Sequence, residues 1–124
     1  MEEPRDIISN DIRHNKIDYI EFRASDIAAT KQFYSSAFGW NFVDYGPDYT
    51  SFQDGRLAGG FSKGEVTTGS GPLVVIHVDD LAAAYQRVKE AGGRIVKETF
   101  SFPGGSRFHF ADPGGNELAV WHED

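Results

Sequence analysis

The sequence predicts an α+β fold of two βαβββ units, whose strands form a half-open, curled mixed β-sheet around a cleft, with flanking helices. Three observations carry this prediction. A strand-aspartate-helix segment occurs twice, three short strand candidates follow each helix, and turn signals separate those candidates.

The repeat sets YIEFRASDIAATKQFY (Tyr19 to Tyr34) against LVVIHVDDLAAAYQRV (Leu73 to Val88). Asp26 matches Asp80, Ile27 Leu81, Ala28 Ala82, Ala29 Ala83 and Gln32 Gln86, all at the offset 80 − 26 = 54. Each aspartate stands where a strand gives way to a helix. Its carboxylate can accept from the free N–H groups of the first turn, so both are read as caps. The first helix buries Ile27, Phe33, Tyr34 and Phe38 and stops at Gly39. The second uses Leu81, Ala84, Tyr85, Val88 and Ala91 and stops at Gly92-Gly93, glycine being the residue that most readily leaves a helix.

The strand candidates are WNFVDYG, YTSFQD and RLAGGF in the first half, split by Gly-Pro-Asp and Asp-Gly. In the second half they are RIVKETF, SRFHFA and NELAVW, split by Pro-Gly-Gly and Asp-Pro-Gly-Gly. The units span about 16–61 and 72–121 of a single domain, 16–124, with a Gly-, Ser- and Thr-rich linker from Ser62 to Gly71. Residues 1–15 belong to neither unit and are expected to form an N-terminal arm.

A chain of 124 residues is sized for one domain with a real core. It has no cysteine, which excludes disulfides, thiolate metal sites and Cys nucleophiles and fits a reducing cytoplasm. No apolar run is long enough to span a bilayer, and the opening MEEPRDIISNDIRHN lacks the apolar segment of a secretory signal. The formal net charge of −7 disfavours nucleic acid, whose phosphates need a basic face. Aromatic residues make up 14% of the chain, enough for a β-rich core or for an aromatic-lined pocket.

The segments YIEFRASDIAATKQFYSSAFGW, VVIHVDDLAAAYQRVKEAGG and FHFADPGGNELAVW, in that order, resemble the vicinal oxygen chelate superfamily of glyoxalase I, bleomycin-resistance proteins and extradiol dioxygenases. The resemblance covers Lys16 to Trp121. It implies a ligand-holding cleft and, as in many relatives, a homodimer. It also implies four positions where metal-using members place a His or Glu, on the first and last strands of each unit. The first-strand ligand commonly lies seven residues before the Asp, which gives Tyr19 (26 − 7) and Leu73 (80 − 7). The last-strand ligand commonly lies seven after the Asp of Asp-Pro, which gives Ala119 (112 + 7), with its counterpart near Gly59. A phenol, an isobutyl group, a methyl group and a hydrogen offer no carboxylate or imidazole, so no metal and no cofactor are expected.

Strand alternation puts Glu21 and Arg23 on the Tyr19 face, Val75 and His77 on the Leu73 face, and Glu117 and Trp121 on the Ala119 face. Glu117 and His77 are therefore the candidate catalytic residues, unless they only form ion pairs at the rim. The side of His109 stays open, and His14 and His122 are expected in solvent near the termini.

Three readings compete. The first is a metal-independent binder of a small apolar or aromatic molecule, with Tyr19, Glu21, Trp40, Phe52, Phe61, Leu73, Phe108, Ala119 and Trp121 as its ligand-binding residues. The second is a glyoxalase-like lyase or isomerase using a Glu or His general base or a displaced metal site. The third is a dimeric regulatory or partner module.

Overall fold

The computed structural model describes residues 11–124, so the first ten residues of the expected arm lie outside the described residues. The first unit is β1 (Tyr19–Ala24), α1 (Ile27–Phe38), β2 (Asn41–Asp44), β3 (Tyr49–Gln53) and β4 (Ala58–Lys63). The second is β5 (Val74–His77), α2 (Leu81–Glu90), β6 (Arg94–Phe102), β7 (Gly105–Ala111) and β8 (Glu117–Glu123). The strands form two four-stranded mixed sheets, ordered β1-β4-β3-β2 and β5-β8-β7-β6, neither of them closed. In each sheet the first strand pairs in parallel with the last, and the remaining pairs are antiparallel. Several boundaries differ from expectation: β2 is only Asn41–Asp44, β4 runs on to Lys63, β6 runs on to Phe102 before a tight hairpin, and β8 runs on past Trp121 to Glu123.

The caps are as the repeat requires. Asp26 accepts a hydrogen bond from the Ala29 amide and Asp80 from the Ala83 amide, both at 3.0 Å. Gly39 ends α1 in the left-handed region at φ 73°, where its N–H reaches back to the Ser35 carbonyl. A side chain there would be strained.

One aromatic core underlies both units, with Phe33, Tyr34, Phe61, Phe108, Phe110 and Leu118 fully buried in it. The units are latched together by the turn Asp112–Asn116. The Tyr34 hydroxyl on α1 donates to the Asp112 carboxylate at 2.7 Å, and the Asn116 amide donates to the same carboxylate. Ser25 donates its backbone N–H to the Gly114 carbonyl, and the Asn116 side chain donates to the Arg23 carbonyl at 2.6 Å. A Cβ on Gly114 would lie 2.4 Å from Thr30 Oγ1, so the turn needs glycine to sit this close to α1. Burial pushes the Asp112 carboxyl above its ordinary value against the pull of its hydrogen bonds. Burial, reinforced by Asp112, pushes the Tyr34 phenol well above its own.

Candidate functional site

Strand alternation divides every side chain between a helix face, which holds the core, and a cleft face. On β1, Ile20, Phe22 and Ala24 turn inward while Tyr19, Glu21 and Arg23 stay exposed. On β8, Leu118 and Val120 enter the core beside Phe110 and Phe108, their partners on β7. Glu117, Ala119 and Trp121 therefore share the other face with Arg107 and His109.

This register decides the four positions at which metal-using relatives carry ligands. Glu21 pairs with Gly60 in the first sheet, and Val75 pairs with Ala119 in the second. Since 75 − 21 equals the repeat offset of 54, Gly60 and not Gly59 is the counterpart of Ala119. The set is thus Tyr19, Gly60, Leu73 and Ala119. A single phenol with no carboxylate or imidazole does not fit a divalent cation.

Gly60 has a different role. A Cβ there would come within 2.1 Å of the Tyr49 hydroxyl and 2.6 Å of the Tyr19 hydroxyl. The missing side chain is the space in which the two phenols meet. Tyr19 and Tyr49 are hydrogen-bonded to each other, and Tyr49 donates to Glu21 Oε1 at 2.9 Å. Burial, and the bonds to Tyr19 and Glu21, push the Tyr49 phenol well above its ordinary value, so it stays protonated.

The second sheet carries a different pair. His109 Nδ1 lies 2.8 Å from Glu117 Oε2, with the His109 side chain 7% exposed and that of Glu117 19%. A carboxylate accepts, so the imidazole presents Nδ1–H to it. His109 Nε2 is buried and has no protein partner. A buried imidazole nitrogen left unpaired is uncommon enough to require a reason. Phe100 lies at 6.0 Å from the His109 ring, and the Arg107 guanidinium lies over both Phe100 and Phe102.

Two cavities open beside these groups. One of about 590 Å³ lies between β1 and the β5–β8 edge and is lined by Glu21, Arg23, Ile20, Val66, Val74 and Glu117. The carboxylates of the two units therefore share one space. A larger one of about 1070 Å³ includes Trp40, Val75, His77, Arg87 and Trp121 in its wall.

The sequence-predicted residues separate accordingly. Tyr19, Glu21, Ala119, Glu117 and Trp121 are on the cleft face as expected, and Leu73 is exposed just before β5. Phe52, Phe61 and Phe108 are not: at 3%, 0% and 0% exposed they belong to the core. Phe61 neighbours Gly60, so alternation turns it to the helix side, where it stacks on Phe22 at 5.2 Å. Phe108 meets Tyr85 of α2 edge-on at 5.2 Å. Trp40 is also mostly core, stacked on Tyr34 and Phe52 with both centroids at 4.5 Å, and only its rim reaches the larger cavity. His77 is not joined to Glu117. It pairs with Glu123 at 2.6 Å, and the residue joined to Glu117 is His109, whose side alternation could not settle until its register with Ala119 was known. His122 is half-buried and donates to the Val78 carbonyl at 2.7 Å, so it is not simply solvated.

Comparisons with known proteins come to the same family by independent routes. The family model described as Glyoxalase/Bleomycin resistance protein/Dioxygenase superfamily matches residues 16–120. A glyoxylase-like domain-containing protein of Didymella fabae is 31% identical, over 88% of this chain and 94% of that protein. The anthracycline biosynthesis protein DnrV of Streptomyces peucetius is 30% identical over 85% of this chain, but this chain covers only 46% of that longer protein. Among solved structures, a glyoxalase/bleomycin resistance protein/dioxygenase family enzyme of Burkholderia phytofirmans superposes with a TM-score of 0.76, covering 87% of this chain and all of that one at 19% identity. The fosfomycin resistance protein FosX of Mesorhizobium loti gives a TM-score of 0.74 at 16% identity, covering 89% and 93% of the two chains. Among the described residues no helix is long and apolar enough to cross a membrane.

Proposed function

This chain belongs to the glyoxalase/bleomycin-resistance/dioxygenase superfamily, and from that premise we propose that it binds a small, largely apolar or aromatic molecule in its cleft without the superfamily's usual metal centre. One observation carries the reading. The positions that hold the metal in metal-using relatives are Tyr19, Gly60, Leu73 and Ala119, while Glu21 and Glu117, each two residues from one of these positions along its strand, line one cavity of about 590 Å³. A mostly apolar cavity with a few fixed polar groups is the usual form of a small-molecule site. Similarity to a protein named for anthracycline biosynthesis supports a planar aromatic ligand.

Titration with a planar aromatic hydroxyquinone in a calorimeter tests this. Saturable one-to-one binding is expected. Its absence across a panel of such compounds, or binding that requires added Zn²⁺, Mn²⁺ or Fe²⁺, overturns the reading.

The Glu117–His109 pair also supports an enzymatic reading, as a glyoxalase-like lyase or isomerase. The imidazole N–H holds Glu117 Oε2, leaving Oε1 free near Gly69 to take a proton from a bound carbonyl compound. Deuterium exchange at the α-carbon of a bound ketone, measured by NMR, would be lost in Glu117→Gln. A variant that keeps the exchange ends the general-base role. A homodimer belongs to the same proposal, since Tyr19, Val43 and Val75 leave apolar surface open on the cleft faces of both sheets. A monomer in light scattering at micromolar concentration contradicts it.

A further inference from the structure

We propose that His77, His122 and Glu123 form a site for one borderline divalent transition-metal ion of the Zn²⁺ class, at the edge of the larger cavity. The parallel pairing of β5 with β8 sets His77 opposite Trp121, so the ends of two strands distant in sequence lie side by side. One ligating atom from each of the three residues lies within 4.8 Å of the others. His77 Nε2 is 2.6 Å from Glu123 Oε1.

The rings already stand close to a shared-ion geometry. Their centroids are 5.7 Å apart and their planes are inclined by 35°. Two imidazoles on one tetrahedral ion, with metal–nitrogen bonds of about 2.0–2.1 Å, hold their centroids roughly 5 Å apart.

Each imidazole is also oriented by its surroundings. A carbonyl only accepts, so the 2.7 Å contact between His122 Nδ1 and the Val78 oxygen puts the proton on Nδ1 and leaves the lone pair on Nε2. An N–H bonded to a backbone carbonyl is the common outer support of a metal-binding histidine. The His77 ring meets Trp121 edge-on at 5.5 Å.

Two imidazoles with one carboxylate suit Zn²⁺, Ni²⁺ or Cu²⁺ better than Mg²⁺ or Ca²⁺, which prefer all-oxygen ligands. Three protein ligands leave a fourth position open. Because His77 is part of the wall of the cavity of about 1070 Å³, that position can be filled by an oxygen of a molecule bound there. None of the three residues is among Tyr19, Gly60, Leu73 and Ala119, so this site is separate from the superfamily's metal position.

Protein without a polyhistidine tag, stripped with a chelator, is titrated with Zn²⁺ in a calorimeter, and its melting temperature is followed in parallel. The expected result is one ion per chain, with a dissociation constant below about 100 μM and a rise in melting temperature, since binding to the native state alone stabilises it. His77→Ala and His122→Ala should each weaken binding on the order of tenfold or more. Because His77 is exposed and β5 does not depend on it for packing, circular dichroism should show His77→Ala folded as the wild type is. No saturable heat up to that concentration overturns the proposal, leaving His77 and Glu123 as an ion pair only. So does binding that persists undiminished in the His77→Ala, His122→Ala double variant.

Discussion

The two βαβββ units share a backbone plan but place opposite chemistry on their cleft faces. Both open with a strand parallel to their last, and both cap the helix with an aspartate at 3.0 Å. In the first unit a glycine on the last strand makes room for a chain of phenols ending on Glu21. The second unit has Ala119 at the equivalent position, and a half-buried imidazole–carboxylate pair flanks it. The first arrangement offers neutral donors at an exposed surface. The second offers a hydrogen-bonded imidazole–carboxylate pair in a poorly solvated one, where electrostatic interactions are stronger. A duplicated fold thus fixes where side chains point while leaving their chemistry free to diverge, which is why likeness of fold alone does not give the activity.

The comparison can be broken most forcefully through the core. Phe61→Ala should destabilise the protein by about 3–5 kcal/mol in urea unfolding, because a fully buried phenyl ring leaves a cavity. A variant of unchanged stability but lost ligand affinity would return Phe61 to the cleft.

Next in size is the latch between the units. Asp112→Ala leaves the buried Tyr34 hydroxyl and the Asn116 amide without their acceptor and should cost about 2–3 kcal/mol. The pH dependence has a definite sign. With its folded-state value raised above 3.8, the Asp112 carboxyl contributes most to stability below that pH, and the contribution is lost as the pH rises through the raised value. Wild type and Asp112→Asn should therefore differ in the slope of stability against pH above 3.8, and parallel slopes would remove burial as the dominant influence on Asp112.

Smaller effects distinguish the two cleft faces. Glu117→Gln should reduce ligand affinity by about tenfold, roughly 1.4 kcal/mol, with little change in melting temperature, as fluorescence titration would show. Gly60→Ala should push apart the flexible ends of Tyr19 and Tyr49, changing stability by less than about 1 kcal/mol while weakening binding several-fold. If Gly60→Ala binds normally, the phenols of the first unit take no part in the site.

Much of the fold was legible because local signals agreed with each other. The aspartate caps, the stop of α1 at Gly39 and the 54-residue offset are local or periodic features that recur in the structure at the predicted residues, while α2 ends one residue early, on Ala91 just before Gly92. The site was less legible. Alternation correctly grouped Tyr19 with Glu21 and Ala119 with Glu117, because side-chain direction within one strand depends only on parity. The aromatic residues were over-assigned to the cleft, since composition alone does not say which face of β3, β4 or β7 a phenylalanine occupies.

By itself, then, the sequence determined the two βαβββ units, their caps, and the residues Tyr19, Leu73 and Ala119 at three of the superfamily's four metal positions, while the fourth, Gly60, needed the register of β1 with β4. Tertiary structure decided which imidazole meets which carboxylate. His109 joins Glu117 and His77 joins Glu123 because of the register between β7 and β8 and between β5 and β8. Register is a relation between strands far apart in the chain. A shift of one residue would turn every side chain of a strand to the opposite face, and only the packing of the shared core selects one alignment.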